Sequence, residues 1–132
     1  MTIKVKLNGN TVTVHPDIHA VNKGSRPLEW GPHENSDTFT FDDPPITFYD
    51  PNAPISGITA TGDSASGTDN NTSTIDTDYG YQVHLIDAAG NHITFPATDG
   101  TTRGERATQK RNTMQAESMM AENDPVIRNR PS

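Results

Sequence analysis

Short runs of alternating apolar and polar residues, each stopped by residues that favour a turn, constrain this chain more than any other feature. Residues 2–7 place Ile3, Val5 and Leu7 between Lys4 and Lys6, and Asn8-Gly9 separates them from a second alternation through Val12 and Val14. Alternation with period two puts apolar side chains on one face of a strand, and Asn-Gly supplies the positive φ angles of a tight hairpin turn. A second alternation, Thr38-Phe39-Thr40-Phe41, stops at Asp42-Asp43-Pro44-Pro45 and resumes at 46–49. Consecutive prolines cannot donate to a ladder, so two strands are predicted there. A third pair reads from Tyr79 to Ile86, turns at Asp87–Asn91 and returns over 92–95. A short strand is predicted around Leu28-Glu29-Trp30, between Asn22-Lys23-Gly24 and Gly31-Pro32.

About seven short strands with no regular helix in the first 100 residues predict an all-β fold, an antiparallel Greek-key β-sandwich. Residues 50–78 are dominated by Gly, Ser, Thr, Asn and Asp, so 56–78 is predicted to be a long mobile loop, with room for a short strand at Ile58. From 103 to 122 helix formers take over, but Lys110 and Arg111 interrupt the apolar stripe begun by Ala107 and Met114. The predicted organisation is a β-sandwich domain over 1–100. A partly helical or disordered segment over 101–132 follows, ending in a short extended strand near Val126-Ile127.

Charge excludes one large class of partner. The chain carries 10 basic and 17 acidic groups, and residues 1–100 hold 4 of the basic and 13 of the acidic ones. Such a body repels phosphate backbones, so no nucleic acid partner is expected. No apolar run is long enough for a membrane span, and the alternating N-terminus lacks the continuous apolar block of a secretory signal. A cytoplasmic location is therefore expected, although a truncated chain would read the same way. With 0 Cys there is no disulfide framework, thiolate metal site or thiol nucleophile.

Val21-Asn22-Lys23-Gly24, followed by Leu28-Glu29-Trp30-Gly31-Pro32-His33, resembles a stretch of the cupredoxins, in which a charged-Gly turn links two strands before a Pro-His pair. Tyr79-Gly80-Tyr81-Gln82-Val83 is similar to the aromatic strand that leads to their copper-binding Cys. The resemblance covers roughly residues 10–95 and implies a Greek-key sandwich with copper ligands at one end: an early His, a Cys, a second His and usually a Met. His33 matches the early His, Val83 stands about where the Cys would be, and the loop 86–90 offers neither His nor Met. Blue copper requires a thiolate. The resemblance thus implies a cupredoxin-like scaffold without that centre, and an immunoglobulin-like sandwich accounts for the pattern nearly as well.

The metal candidates are His15, His19 and His33. His15 and His19 are four residues apart, but Pro16 opposes a helix through them, and in a straight strand the rings would stand roughly 13 Å apart. They meet only if Pro16-Asp17 turns, and Zn²⁺ or Cu²⁺ then needs a third ligand such as His33 or Asp17. Asp42, Asp43 and the acids at 63, 69, 76 and 78 match no EF-hand spacing and read as solvated loop acids. Gly62-Asp63-Ser64 lacks the second Gly of a nucleophile elbow and lies in the predicted loop. Trp30, Tyr49, Tyr79 and Tyr81 could form a ligand platform, but burial in the core is the simpler expectation. The expected function is a non-enzymatic protein-binding or assembly module with no cofactor, engaging a protein partner or a second copy of itself. The alternative is a metal-binding cupredoxin-like protein with a non-blue site of His and carboxylate ligands.

Overall fold

A computed structural model describes residues 2–96 and 124–132. The described chain is all-β. Its strands are β1 (Ile3–Asn8), β2 (Thr11–His15), β3 (Ile18–Val21), β4 (Gly24–Pro32) and β5 (Phe39–Phe48), followed by β6 (Ile55–Thr61), β7 (Ser64–Asn71), β8 (Thr77–Asp87), β9 (His92–Phe95) and β10 (Val126–Asn129). The first sheet has the order β2-β1-β4-β7-β6. The second runs β3-β10-β8-β5, with β9 also on β8.

The hairpin chemistry of the sequence is realised where it is strongest. Asn8 pairs with Thr11 around Gly9, whose φ of 62° lies in the left-handed region that glycine tolerates. The β8–β9 hairpin pairs Ile86 with His92, and Asp87 closes it by accepting through Oδ1 from the backbone N–H of Ala89 and Asn91. Ile3, Val5 and Leu7 from the first sheet meet Tyr81, Val83 and Leu85 from the second in one core. At its centre the Trp30 indole N–H donates to the Tyr81 hydroxyl at 3.1 Å, the rings lying edge to face at 5.7 Å.

Several expectations are corrected. The sheets are mixed, not antiparallel: β1 runs parallel to β4, and β3 parallel to β10. Both pairings join strands whose connection crosses to the opposite sheet, which alternation along single strands does not encode. There are ten strands among the described residues, not about seven. Residues 39–48 form one bent strand, because Phe41 pairs with Leu85 and Ile46 with Val83, so 42–45 bulge opposite His84 alone. Most of the stretch 56–78 is not a loop: β6 and β7 form a hairpin around Gly62, and β8 begins at Thr77. Its inward positions are small or polar, Ala65, Gly67, Asp69 and Asn71, and Trp30 and Leu28 sit opposite Ala65 and Gly67 in the ladder. The helix expected over 103–122 lies outside the described residues. The expected final strand is β10, which lies between β3 and β8, so the boundary drawn at residue 100 separates it from the strands it pairs with.

Candidate functional site

The outer face of the first sheet carries two concavities that meet at Lys4. Because Ile3, Val5 and Leu7 point into the core, Lys4 and Lys6 point out of β1. Across the ladder Lys4 faces Gly31 on β4 and His15 on β2. The larger concavity is a trough of about 450 Å³ across β1, β4, β7 and β6. Five hydroxyl-bearing residues line it, Thr2, Thr59, Thr61, Ser64 and Ser66, and Glu29 and Lys4 add one charge of each sign. Glu29 accepts a hydrogen bond from the Thr2 hydroxyl at 3.3 Å. Gly31 keeps this part of the face shallow, since a Cβ there would meet the Thr2 methyl at 3.4 Å. The rim is β6, the terminal strand of its sheet.

The second concavity, about 320 Å³, lies over the β1–β2 hairpin and is lined by Lys4, Lys6, Thr13, Val14, His15 and His33. His15 and His33 are thus brought to one groove. His19 sits on β3 in the second sheet, half-buried, and burial lowers its pKa. The backbone N–H of His33 donates to the Val5 carbonyl, extending the line of β4 beside β1. Its ring Nδ1 accepts from the Asn35 N–H at 3.0 Å, which leaves the ring proton on Nε2. Among the described residues no group of three or more His, Asp or Glu side chains is placed to hold a metal ion.

A third polar cluster occupies the outer face of the second sheet. His84 lies between the Thr47 hydroxyl at 2.8 Å from Nε2 and the Thr94 hydroxyl at 3.0 Å from Nδ1. Half-burial lowers its pKa, the nearby Asp42 opposing the shift, so the ring is neutral at pH 7. His92 Nδ1 meets Asp42 Oδ2 at 2.7 Å, and this bond, with the Asp43 N–H, holds the Asp42 carboxyl below the usual range. His92 and Asp42 have the relation of a general base to its orienting carboxylate. Yet His92 is 69% exposed, and among the described residues no hydroxyl is bonded to it.

The remaining sequence candidates fall elsewhere. Gly62, with a φ of 61°, turns β6 into β7, so Ser64 belongs to the trough. Trp30 and Tyr81 are buried and Tyr49 and Tyr79 half-buried, so these rings do not form an exposed platform. The trough was not legible in the sequence. Its hydroxyls alternate with small inward residues along β6 and β7, where no hydrophobic signal marks the strands. No protein-family model matches the chain, and no curated protein matches it significantly.

Proposed function

We propose that the protein is a non-enzymatic binding module that takes an extended segment of a partner protein into the trough across its first sheet. One observation carries this reading: a concavity of about 450 Å³ is lined by hydroxyls and ends at a terminal strand, β6, which has no charged residue. A terminal strand offers one row of backbone donors and acceptors, and proteins commonly block such edges. On β5 the prolines and the bulge interrupt the edge, β3 has only four residues, and β2 ends at His15, just before Pro16. At β6 the bulge after Ser56 leaves Thr59–Thr61 in register with β7 beside the trough, and β5 lies alongside at the end of the strand, where the Phe41 N–H donates to the Gly62 carbonyl. Strand addition there supplies main-chain hydrogen bonds, and the hydroxyls recognise alternate side chains and amides.

Other occupants fit less well. Sugars are gripped by stacking on exposed rings, and the trough presents none. Among the described residues Ile75 is the one exposed large hydrophobic, so recognition at the trough is polar. The all-β body of two sheets is compatible with a cupredoxin-like, Greek-key scaffold, and this reading adopts it without a metal. A non-enzymatic role agrees with the histidines, since His84 is bonded at both nitrogens and His33 at Nδ1.

The test is selection of peptides from a random displayed library, with Ser66→Trp as the blocked variant. Selected peptides are expected to bind the native chain, to slow amide exchange at Thr59–Thr61, and to lose at least about tenfold in affinity on Ser66→Trp, whose thermal midpoint is unchanged. Binding indifferent to Ser66→Trp overturns the reading. So does a dimer abolished by that substitution, which makes a second copy the occupant.

A further inference from the structure

We propose that the groove over the β1–β2 hairpin is an oxyanion site that takes a phosphate group carried on a ligand. The groove shares Lys4 with the trough, but Lys6, Thr13, His15 and His33 line the groove and not the trough, and the proposal does not depend on what fills the trough. Four features point the same way. Lys4 and Lys6 are two of the 4 basic residues among the first 100, where 13 are acidic, and they project from the same face of one strand. Among the described residues neither has a carboxylate within ion-pair distance, and no carboxylate lines the groove. His33 keeps its ring proton on Nε2, because Nδ1 is committed to the Asn35 N–H. Thr13, opposite Lys6 in the ladder, and His15, opposite Lys4, complete the lining polar groups.

The same geometry disfavours a cation. A histidine that ligates through Nε2 carries its proton on Nδ1 and donates it to a supporting acceptor. His33 has the reverse arrangement. Two ammonium groups in the same groove add repulsion to any divalent ion. For an oxyanion every one of these groups helps, since ammonium and imidazole N–H groups make charge-assisted or neutral hydrogen bonds to phosphate oxygens. Elsewhere the acidic body repels anions, which makes the hairpin groove a local exception and a means of orienting an anionic ligand.

Titration of the full chain with inorganic phosphate and with phenyl phosphate, at constant ionic strength, tests the proposal by backbone amide chemical shifts. Zn²⁺ serves as the competing probe. Both phosphates are expected to shift Lys6, Thr13 and His33 selectively, with saturation, and phenyl phosphate is expected to bind no more weakly than inorganic phosphate. Lys4→Gln with Lys6→Gln is expected to weaken both by at least about tenfold while the thermal midpoint is kept. His33→Ala alone, which keeps both lysines, is expected to weaken them by about threefold to tenfold. Unsaturable shifts spread over the surface, affinity unchanged in the double Gln variant, or Zn²⁺ binding more tightly than phosphate at His15 and His33 would each overturn it.

Discussion

Asn129 on β10 donates through Nδ2 to Asp69 Oδ1 on β7 at 3.0 Å, joining the two sheets through a fully buried acid–amide pair. Among the described residues the other two oxygens of that pair, Asp69 Oδ2 and Asn129 Oδ1, have no hydrogen-bond partner. Beside it the Asn71 side chain donates to the carbonyls of Val21 and Arg130, at 2.9 and 2.8 Å. One end of the core is therefore closed by polar bonds, in contrast to the aromatic and aliphatic packing around Trp30 and Tyr81 at its centre. A buried carboxylate without a counterion is costly, and a proton on Asp69 Oδ2 supplies the donor this pair lacks.

Burial raises the Asp69 pKa, with the Asn129 bond opposing the shift. The folded chain thus holds this proton at a pH where the unfolded chain has released it. Stability contributed by Asp69 is complete below the ordinary carboxylate range, is lost as pH rises through the folded pKa, and is level above it. Asp69→Asn removes that dependence. Urea midpoints from pH 4 to 8 are expected to show the Asn variant gaining on the native chain as pH rises, whereas Asp69→Ala, which also lacks the titrating group, starts about 1–3 kcal/mol below the native chain at pH 4 and narrows that gap as pH rises.

Gly67 is predicted to resist substitution. A Cβ there would lie 2.5 Å from Ile58 Cδ1 and 3.3 Å from the Ser56 carbonyl oxygen, so Ile58 covers the space a side chain would need. Gly67→Ala is expected to cost about 1–3 kcal/mol, the range for overpacking, by chemical denaturation. Adding Ile58→Ala to the Gly67→Ala variant should cost less than Ile58→Ala costs in the native chain, because the two changes share one space.

The same hairpin shows why part of the fold was legible and part was not. Ile3, Val5 and Leu7 announce a half-buried strand because water is the alternative for each, and Asn8-Gly9 announces its turn. Ala65, Gly67, Asp69 and Asn71 alternate as regularly, but their partners are a neighbouring indole, an isoleucine methyl, Asn129 and the carbonyls of Val21 and Arg130. Apart from Ile58, those partners are distant in sequence, so a hydrophobic pattern reads the segment as a loop. The parallel pairings are hidden for the same reason. At the sites, residue type alone points to His15 and His33, whereas in the sequence Lys4 and Lys6 are only the outward half of an alternation. That neither has a carboxylate partner among the described residues becomes visible only once the neighbouring strands are in place.

Tyr81→Phe tests the centre of the core. It leaves the edge-to-face contact with Trp30 but removes the acceptor of a buried indole N–H. A loss of about 1–3 kcal/mol is expected from urea unfolding. Trp30 is the chain's 1 tryptophan, so its fluorescence reports the transition directly.

Protonation of His84 should weaken the fold. Burial lowers its pKa, as it does for His19, so the unfolded chain takes up protons first as pH falls. The associated stability is present above the ordinary histidine pKa of about 6.5 and declines as pH falls through the folded values. Ring-proton titration by NMR is expected to place the His84 midpoint below 6.5. His84→Gln should make the decline between pH 7 and 5 shallower, leaving the contribution of His19.

The last strand is predicted to be indispensable. Val126 and Ile127 are fully buried, and among the described residues β3 has no neighbour in its sheet except β10. Val126 N–H donates to the Asp17 carbonyl and Arg130 N–H to that of Val21, while Arg128 grips Asp78 through Nε and Nη2 at 2.8 and 3.0 Å. Removing 124–132 therefore strips β3 and one edge of β8 of their ladders and opens the core beneath Tyr81. The chain ending at residue 123 is expected to lose its cooperative thermal transition, and a synthetic 124–132 peptide supplied in trans should restore it. Ile127→Ala, which keeps the ladder and removes only packing, is expected to cost about 2–5 kcal/mol. Arg128→Ala, which removes a partly exposed ion pair, should cost about 1 kcal/mol or less. If the two rank the other way, surface charge and not burial holds β10 in place.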